Sequence, residues 1–338
     1  MTNDRALRFL APEGLDDPLR VSGGNVYDRH LRDGLARRGW AIQITEVSDD
    51  QSVAAALAAM PRGAITLVDG MVAAWAPAAV EAAAGRLTVV IIAHMVMAAF
   101  SEVASNAIRA EGRALRAASR IIVTSEWTGM EVARRYLVDP AAVAVAVPGS
   151  LDGDTATREA DHRELLCVGV ISAHKGQDVL LRALAALPDD GWTCTLAGSL
   201  TTDPEFAKRV AEQAEPFGEQ IRMPGVLNST ELDAAYSRAG LLVAPSRTES
   251  YSMAIADARR RGLPVIATDV GGIPEAVAEG GAMLVRRGDV DGFSSALHRW
   301  MSEPALRDTL RSGALRGRST APRWADTIDV IHETLVRL

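Results

Sequence analysis

Short apolar segments alternate with helical segments along almost the whole chain, and this alternation restricts the possible folds more than any other feature. Six apolar segments in the first half have the length of strands: LRFLA, AIQITEV, AITLVD, LTVVIIAH, RIIVTS and AVAVAVPG. About six more follow in the second half, from ELLCVGVIS to GAMLV. Strands separated by helices are typical of parallel, doubly wound sheets. The pattern predicts an α/β protein with two Rossmann-like domains.

A polar segment without periodicity separates the two halves. Residues 151–163, LDGDTATREADHR, have the composition of a linker, and a chain of 338 residues is long enough for about two domains. We therefore predict an N-terminal domain over residues 1–152 and a C-terminal domain over residues 153–321. The last segment, residues 322–338, carries apolar side chains at helical spacing and is predicted to pack back on the first domain.

Bulk composition narrows the functional classes. The formal net charge of −7 argues against non-specific binding to nucleic acid or anionic lipid. The N-terminus lacks the apolar core of a signal peptide, and the longest apolar segment is too short to span a bilayer. Cys167 and Cys194 each lie within an apolar segment, as reduced core cysteines do. We expect a cytoplasmic protein whose membrane contact is at most peripheral.

The segment Pro245–Glu279 carries two acidic residues in a pattern that suits a polar ligand. Glu249 lies in a turn after an apolar strand, and Asp257 lies in the following helix. Their carboxylates could hold the hydroxyls of a sugar and a ribose. Backbone amides of the turn Ser250–Met253 and the start of the helix could bind phosphate, because a helix N-terminus favours anions. By spacing alone, the two acids could equally be solvated.

Lysine is rare in this chain, which draws attention to Lys175. All but two of the 36 basic residues are arginine, and the other lysine is Lys208. Lys175 lies in GVISAHKG, between an apolar strand and a helix, where a point cation suits phosphate binding. The Walker pattern GxxxxGK[ST] is missing. A chance surface lysine is the alternative interpretation.

Two features of the first half could also contribute to a site. Gly23 and Gly24 follow the first strand and precede a helix, where glycines allow close approach of a ligand to the backbone. His94 ends the fourth strand. Ordinary turn glycines and a structural histidine are the alternatives, and the absence of GxGxxG argues against a dinucleotide site.

One acidic motif resembles a metal site, although its position argues against that role. Asp152-Gly153-Asp154 matches the DxD pattern but lies in the predicted linker, away from any strand end. No Cys or His spacing typical of metal ligands is present. We therefore expect no metal ion and no cofactor.

The second half resembles family 4 of the retaining glycosyltransferases, which have the GT-B fold of two Rossmann-like domains facing across a cleft. The segments GVISAHKG, PSRTESYSMAIAD and GLPVIATDVGGIPE correspond to the family's motifs GRxxxxKG, PSxxE(x7)E and GxPVIATxxGGxPE. In the first half, SGGNVYDRHLRDGLARRG, VVIIAH and RIIVTSEW are similar to weaker family motifs. The resemblance covers nearly the whole chain. It implies an N-terminal acceptor domain and a C-terminal donor domain.

The resemblance also implies a role for each matched residue. Lys175 would bind the donor diphosphate, Glu249 the donor sugar and Asp257 the ribose. His94 would line the reaction centre and is predicted to be catalytic together with Lys175 and Glu249. The predicted donor-binding set is completed by Gly23, Gly24, Val226, Ser250, Tyr251, Ser252 and Met253.

Three positions depart from the family pattern. The arginine of GRxxxxKG is Val170, which removes one cation from the phosphate site. The second glutamate of PSxxE(x7)E is Asp257, which is one methylene shorter. A position that is usually glycine is Ser252, which narrows the space beside the sugar. These departures bear on donor affinity and on whether transfer is retained.

The resemblance predicts metal-independent transfer of a sugar, with retention, from a nucleoside-diphosphate sugar to an acceptor hydroxyl. The acceptor could be a small molecule, a glycan or a lipid-linked compound. One alternative is a nucleotide-sugar-binding protein that has lost transfer. A glycogen-phosphorylase-like enzyme needs a lysine for pyridoxal phosphate, which a chain with two lysines does not readily supply. A 2-epimerase needs an acid–base set that the sequence does not identify.

Overall fold

The chain divides into two compact units in the computed structural model, which describes residues 5–18, 20–100, 103–150 and 161–338. Unit 1 comprises Met1–Pro148 together with Trp324–Leu338, and unit 2 comprises Gly149–Arg323. Most of the predicted linker, including the DxD motif, lies outside the described residues. Which unit takes an acceptor and which a donor stays a prediction.

Unit 1 contains a six-stranded parallel sheet with the strand order β2-β1-β3-β4-β5-β6. Its strands are β1 (Arg5–Pro12), β2 (Trp40–Val47), β3 (Ile65–Asp69), β4 (Thr88–Ala93), β5 (Arg120–Val123) and β6 (Val143–Val145). Its helices are α1 (Gly23–Arg37), α2 (Asp50–Ala59), α3 (Gly70–Trp75), α4 (Pro77–Ala84), α5 (Ser105–Ala117), α6 (Glu126–Tyr136) and α14 (Trp324–Val336). All six predicted strands of the first half are present.

Helix α3 is the element of this unit that the sequence pattern does not predict. Asp69 caps it by accepting from the backbone N–H groups of Met71 and Val72, at 2.8 and 3.1 Å. Ala76 then interrupts the helical backbone before Pro77 begins α4. The two helices share one Ala-rich segment, so hydrophobic periodicity shows no break between them.

The C-terminal helix α14 belongs to the core of unit 1. Ile328, Ile331 and Leu335 are buried in the same cluster as Leu31 and Leu35 of α1. The two helices approach each other closely at Gly34, because this residue has no side chain. A Cβ atom there would lie only 2.6 Å from Cγ1 of Ile328. Helix α14 therefore completes the core of this sheet although it follows the whole of unit 2 in the sequence.

Truncation of Ile331 tests this packing. We expect Ile331→Ala to lower the free energy of unfolding by about 2–5 kcal/mol, because it removes a fully buried side chain and leaves a cavity. Val330→Ala, at a neighbouring exposed position of the same helix, should change it by less than about 0.5 kcal/mol. Urea unfolding followed by tryptophan fluorescence measures both. Equal effects of the two variants would contradict the packing of α14.

Unit 2 contains a second six-stranded parallel sheet with the order β12-β11-β10-β7-β8-β9. Its strands are β7 (Glu164–Val168), β8 (Thr193–Ala197), β9 (Ile221–Gly225), β10 (Leu241–Ala244), β11 (Val265–Thr268) and β12 (Ala282–Val285). Its helices are α7 (Gln177–Leu184), α8 (Pro204–Ala214), α9 (Ser229–Arg238), α10 (Met253–Arg261), α11 (Ile273–Ala276), α12 (Val290–Ser302) and α13 (Pro304–Gly317). The prediction of two parallel sheets is confirmed.

Both cysteines lie in the core of unit 2, as the apolar segments around them predict. Burial raises the pKa of Cys167 to about 12, so its thiol stays protonated at neutral pH. No helix among the described residues is both long and apolar enough to cross a bilayer.

Both sheets contain a point at which the chain reverses its direction of winding. In unit 1 the chain passes from β1 to β2 on one side and then to β3 on the other. In unit 2 it passes from β7 through β8 and β9 before it crosses to β10. Open parallel sheets bind ligands beyond the carboxyl ends of the strands at such switch points. The fold therefore marks one candidate region in each unit.

Candidate functional site

Lys175 and Glu249 meet at the switch point of unit 2. A 3₁₀ turn after β7, Ala173–Lys175, carries the lysine, and the loop after β10 carries the glutamate. Lys175 Nζ lies 2.5 Å from Glu249 Oε2, and the side chains are only 21 % and 12 % exposed. The two residues are 74 positions apart in the sequence, and pairing of β7 with β10 brings them together.

Glycines hold the loops of this site in direct backbone contact. Gly176 has a φ of 72°, and a Cβ atom there would clash with the carbonyl of Pro245. Gly271, in the loop after β11, has a φ of 56° and packs in the same way against the carbonyl of Glu249. The backbone N–H of Gly272 donates to that carbonyl at 3.1 Å. Only glycine fits these positions, so three neighbouring strand ends fix the backbone of Glu249.

Arg247 ties the lysine loop to the glutamate loop. Its guanidinium donates two hydrogen bonds to Asp178 of α7, at 2.8 and 2.7 Å, and a third to the carbonyl of Ala173. The backbone N–H of Arg247 donates to the carbonyl of His174 at 2.7 Å. A bidentate pair of this kind fixes orientation as well as distance. Arg247 thus supports the site and is itself occupied by Asp178.

Both side-chain hydrogen bonds recorded for the Glu249 carboxylate within the described residues involve one of its oxygen atoms, Oε2. Its Oε2 atom accepts from Lys175 and also from Ser246 Oγ, at 3.3 Å. The hydroxyl of Thr268 in turn donates to the carbonyl of Ser246. Lys175 has two further ammonium hydrogens beyond the one that it gives to Glu249. A ligand at this position could therefore donate to the carboxylate of Glu249 and accept from the ammonium group of Lys175.

The residues that follow Glu249 are buried and lead directly into α10. The side chains of Ser250, Tyr251 and Ser252 are all buried. Burial raises the pKa of Tyr251 to about 12, so it stays a neutral phenol. Asp257, one turn into α10, is also buried and contributes to the raised pKa of Tyr236, although burial is the larger cause.

Val226 is placed differently from the other predicted donor-binding residues of this unit. It follows β9, the edge strand of the sheet, whereas Lys175 and Glu249 follow β7 and β10 in its middle. Its predicted place beside a nucleotide base stays a prediction.

Ser252 has a backbone conformation that suits glycine. Its φ is 79° and its ψ is 90°, and it precedes α10 without a side-chain hydrogen bond to cap that helix. Non-glycine residues in such sparsely populated regions cost about 1–3 kcal/mol. The departure at Ser252 from the family's glycine therefore introduces strain next to Glu249.

Replacement of Ser252 by glycine should relieve this strain. We expect Ser252→Gly to raise the free energy of unfolding by about 1 kcal/mol, since the relief of strain exceeds the greater chain entropy of glycine in the unfolded state. Ser229→Gly in the first turn of α9 should instead lower it by about 0.5–1 kcal/mol. Thermal unfolding of both variants measures the difference, and a loss of stability in Ser252→Gly would contradict the interpretation.

The predicted residues of unit 1 also lie together. Gly23 and Gly24 form the first turn of α1, which Ser22 caps by accepting from the N–H of Asn25 at 3.1 Å. His94 directly follows β4, and a Cβ atom on Gly24 would lie 3.3 Å from its imidazole. Gly24 therefore allows His94 to lie against the start of α1.

Two buried carboxylates surround His94. Its Nε2 atom lies 3.0 Å from Asp28 Oδ1 and 3.4 Å from Asp69 Oδ2. Burial lowers the pKa of His94, but Asp28 and then Asp69 more than offset this, so the pKa is raised above its ordinary value. Burial and the charge of Asp28 raise the pKa of Asp69 to about 6, against the opposing effect of His94.

The polar atoms of these three side chains lie close together. One atom each from Asp28, Asp69 and His94 lies within 4.8 Å of the others, a spacing that the contacts of His94 with the two carboxylates already produce. The expectation of no metal ion stays a prediction.

Sequence reasoning found His94 but missed the groups that bind it. Asp28 lies on the buried side of the amphipathic helix α1, and a charged residue at a core position is a signal that could have identified it.

A buried pair elsewhere in unit 1, Glu111 and Tyr136, was also not predicted. The hydroxyl of Tyr136 donates to the Glu111 carboxylate. Burial raises the pKa of Glu111 to about 7. Glu111 also accepts from the N–H of Met97, which anchors the loop after β4.

Two parallel six-stranded sheets in this arrangement of elements define the GT-B fold, and solved structures share it. Sucrose-phosphate synthase from Thermosynechococcus elongatus superimposes with a TM-score of 0.82 at 19 % identity, covering 98 % of both chains. The HepE protein of Anabaena, solved in complex with UDP-glucose, gives a TM-score of 0.80 at 18 % identity, covering 98 % of this chain and 100 % of HepE. The predicted fold class is confirmed.

Residues 155–316 match the model of the family Glycosyl transferases group 1. The D-inositol 3-phosphate glycosyltransferase of Streptomyces bingchenggensis is 32 % identical over 227 residues, which are 60 % of this chain and 50 % of that protein. The enzyme of the same name from Nocardiopsis dassonvillei is 28 % identical over 244 residues, 66 % of this chain and 56 % of that protein. The chain thus spans about half the length of these curated relatives.

Proposed function

We propose that this protein is a glycosyltransferase that moves a sugar, with retention and without a metal ion, from a nucleoside-diphosphate sugar to an acceptor hydroxyl. The observation that carries the proposal is the Lys175–Glu249 pair. It lies at the switch point of the sheet, inside the matched glycosyl transferases group 1 domain. A cation and a carboxylate at this position suit the diphosphate and the hydroxyls of one donor.

In this proposal Lys175 stabilises the leaving diphosphate. Negative charge builds on the β-phosphate as the glycosidic bond breaks, and a preorganised cation lowers the energy of that state. Backbone amides at the start of α10 add partial positive charge near the same loop. Gly169 and Gly176, on either side of the lysine loop, both have positive φ and let a ligand approach the backbone.

Glu249 and Asp257 then bind the hydroxyls of the donor. The backbone of Glu249 is fixed by contacts with Gly271 and Gly272. Its side-chain carboxylate would accept hydrogen bonds from the sugar hydroxyls. Asp257 would accept from the ribose. Gly23, Gly24 and His94 of unit 1, and Ser250–Met253 and Val226 of unit 2, complete the set of residues assigned to the substrates by family resemblance.

The chemistry needs no protein nucleophile. The sugar would pass through an oxocarbenium-like state, and the acceptor oxygen would attack from the face that the diphosphate leaves. The acceptor proton would go to the departing phosphate oxygen, so atoms and charge balance without a covalent intermediate. The protein contributes positioning and charge stabilisation.

The relatives suggest a range of substrates for this chain. HepE has been solved with UDP-glucose, and the curated relatives are named for D-inositol 3-phosphate. We propose a nucleoside-diphosphate sugar as the donor, and a small molecule, a glycan or a lipid-linked compound as the acceptor.

A nucleotide-sugar-binding protein without transfer is the second candidate. Val170 replaces the arginine of the family's phosphate motif, and Arg247, the arginine of the adjacent glutamate loop, is occupied by Asp178. One cation fewer at the diphosphate favours binding over turnover, because the leaving group is less well stabilised.

Substitution of Lys175 tests the proposed function. We expect Lys175→Ala to lower kcat for release of nucleoside diphosphate from a donor panel by about 100-fold or more, as for the loss of a preorganised charge stabiliser. Lys208→Ala, on α8, is the matched control, because it removes the only other lysine and should leave turnover unchanged. Circular dichroism of both variants controls for folding.

Near-normal turnover by Lys175→Ala would contradict the role of this lysine. Donor binding without turnover in the wild-type protein, measured by thermal shift and then by product release across an acceptor panel, would favour the second candidate.

Lengthening Asp257 tests its proposed contact with the ribose. We expect Asp257→Glu to keep or tighten the binding of the nucleotide, because the longer side chain restores the family's carboxylate reach. Calorimetric titration with UDP, GDP and ADP measures the change in Kd. A large loss of affinity with an intact fold would show that Asp257 does not occupy the ribose position.

A further inference from the structure

Three ionisable side chains converge at the switch point of unit 1. Asp28 comes from α1, Asp69 ends β3 and His94 directly follows β4, the next strand of the sheet. The family resemblance assigns no role to Asp28, which lies within SGGNVYDRHLRDGLARRG, or to Asp69. The structure brings both carboxylates to the same nitrogen of His94.

The burial of Asp28 requires a compensating charge. Its side chain is 1 % exposed, and its Oδ2 atom has no hydrogen-bond partner within the described ranges. A buried carboxylate without compensation is costly, since the interior does not replace its hydration. Among the described residues, the side chain that pairs with Asp28 and can carry positive charge is the imidazole of His94. Asp69 differs, because its Oδ1 atom accepts from two backbone N–H groups of α3.

The surroundings of the ring are consistent with a charged imidazole. The titratable groups against it are Asp28 and Tyr27 of α1 and Asp69 of β3. Burial raises the pKa of Tyr27 well above its ordinary value, so Tyr27 is neutral and packs edge-on against the imidazole, with ring centroids 5.1 Å apart. Two carboxylates against one imidazole favour its doubly protonated form.

The contacts of Nε2 leave the other ring nitrogen for a ligand. Both carboxylates lie at Nε2, and in the described part of the chain no protein group bonds Nδ1. The side chain of His94 keeps 15 % of its surface exposed. A doubly protonated ring that gives its Nε2–H to Asp28 has a second N–H at Nδ1.

We propose that Asp28 is a positioning residue that holds His94 as an imidazolium, with Nε2–H directed to Asp28 and Nδ1–H left to donate to an oxygen atom of the substrate. The substrate part of this inference rests on the proposed function. The charged donor makes this hydrogen bond about twice as strong as a neutral one. Asp69, whose Oδ2 atom lies 3.4 Å from the same Nε2 atom, adds negative charge that stabilises the cation.

Asp28→Asn tests the proposal because it removes the charge but keeps the shape and an oxygen that accepts from Nε2–H. We expect the protonation midpoint of His94, followed by NMR of the labelled imidazoles with His94→Gln for assignment, to fall by about 1–3 pH units. The fall of kcat/KM with rising pH should move down by the same interval. At a pH between the wild-type and variant midpoints, kcat/KM of the variant then drops about tenfold for each pH unit above its own midpoint. A chelator in all buffers removes divalent metal ions, so that the midpoint reports only the protonation of His94.

Asp33→Asn is the matched control, because Asp33 lies on the same helix, is half exposed and pairs with Arg32. It should leave the His94 midpoint unchanged. Asp69→Asn should lower the midpoint in the same direction, and it serves as the test if Asp28→Asn does not fold.

The NMR midpoint does not depend on turnover, so the two proposals fail separately. An unchanged midpoint in Asp28→Asn overturns the assignment of Asp28 and leaves the proposed function intact. A lowered midpoint with an unchanged kcat/KM profile overturns the contact with substrate. Absence of turnover in the wild-type protein, with a lowered midpoint in the variant, refutes the proposed function and supports the Asp28–His94 pair.

Discussion

The Lys175–Glu249 ion pair depends on the reversal of strand order in the second sheet. Because the chain leaves β7 toward β8 and returns to the other side at β10, two loops end beside each other with no helix between them. Gly176 packs against the carbonyl of Pro245 and Gly271 against the carbonyl of Glu249, so the loops are in direct backbone contact. The pair is thus held by main-chain geometry from three neighbouring strands, and Arg247 adds a further link through Asp178.

The first sheet uses its own switch point differently. There the chain places two carboxylates and an imidazole, most of them buried, where the second sheet places one lysine and one glutamate. Buried charges of this kind persist only when they compensate one another. The proximity of Asp28 and Asp69 to His94 explains why the pKa of this histidine is raised, and Gly24 explains how the start of α1 comes so close to it.

Much of the fold could be predicted because it depends on local periodicity. The twelve strands follow apolar segments that the sequence shows directly, and the parallel arrangement follows from the helices between them. Helix α3 could not be predicted, since its start depends on the side chain of Asp69 and its end on one residue, Ala76. Lys175, Glu249 and His94 were predicted from their places after strands and from family motifs. Asp28 and Asp69 were not predicted. The core position of Asp28 on α1 is unusual for a charged residue, but the sequence does not show that both carboxylates contact His94.

The sequence by itself determined the class of fold, the division into two halves and the candidate residues, because strand and helix patterns and short motifs are local properties. Only the tertiary structure decided which of those residues touch. Lys175 reaches Glu249 across 74 positions through the pairing of β7 with β10, and Asp28 of helix α1 reaches His94 across 66. Local composition does not indicate either contact. It also decided that α14 completes the core of unit 1, since burial of Ile331 depends on a surface made by residues about three hundred positions earlier.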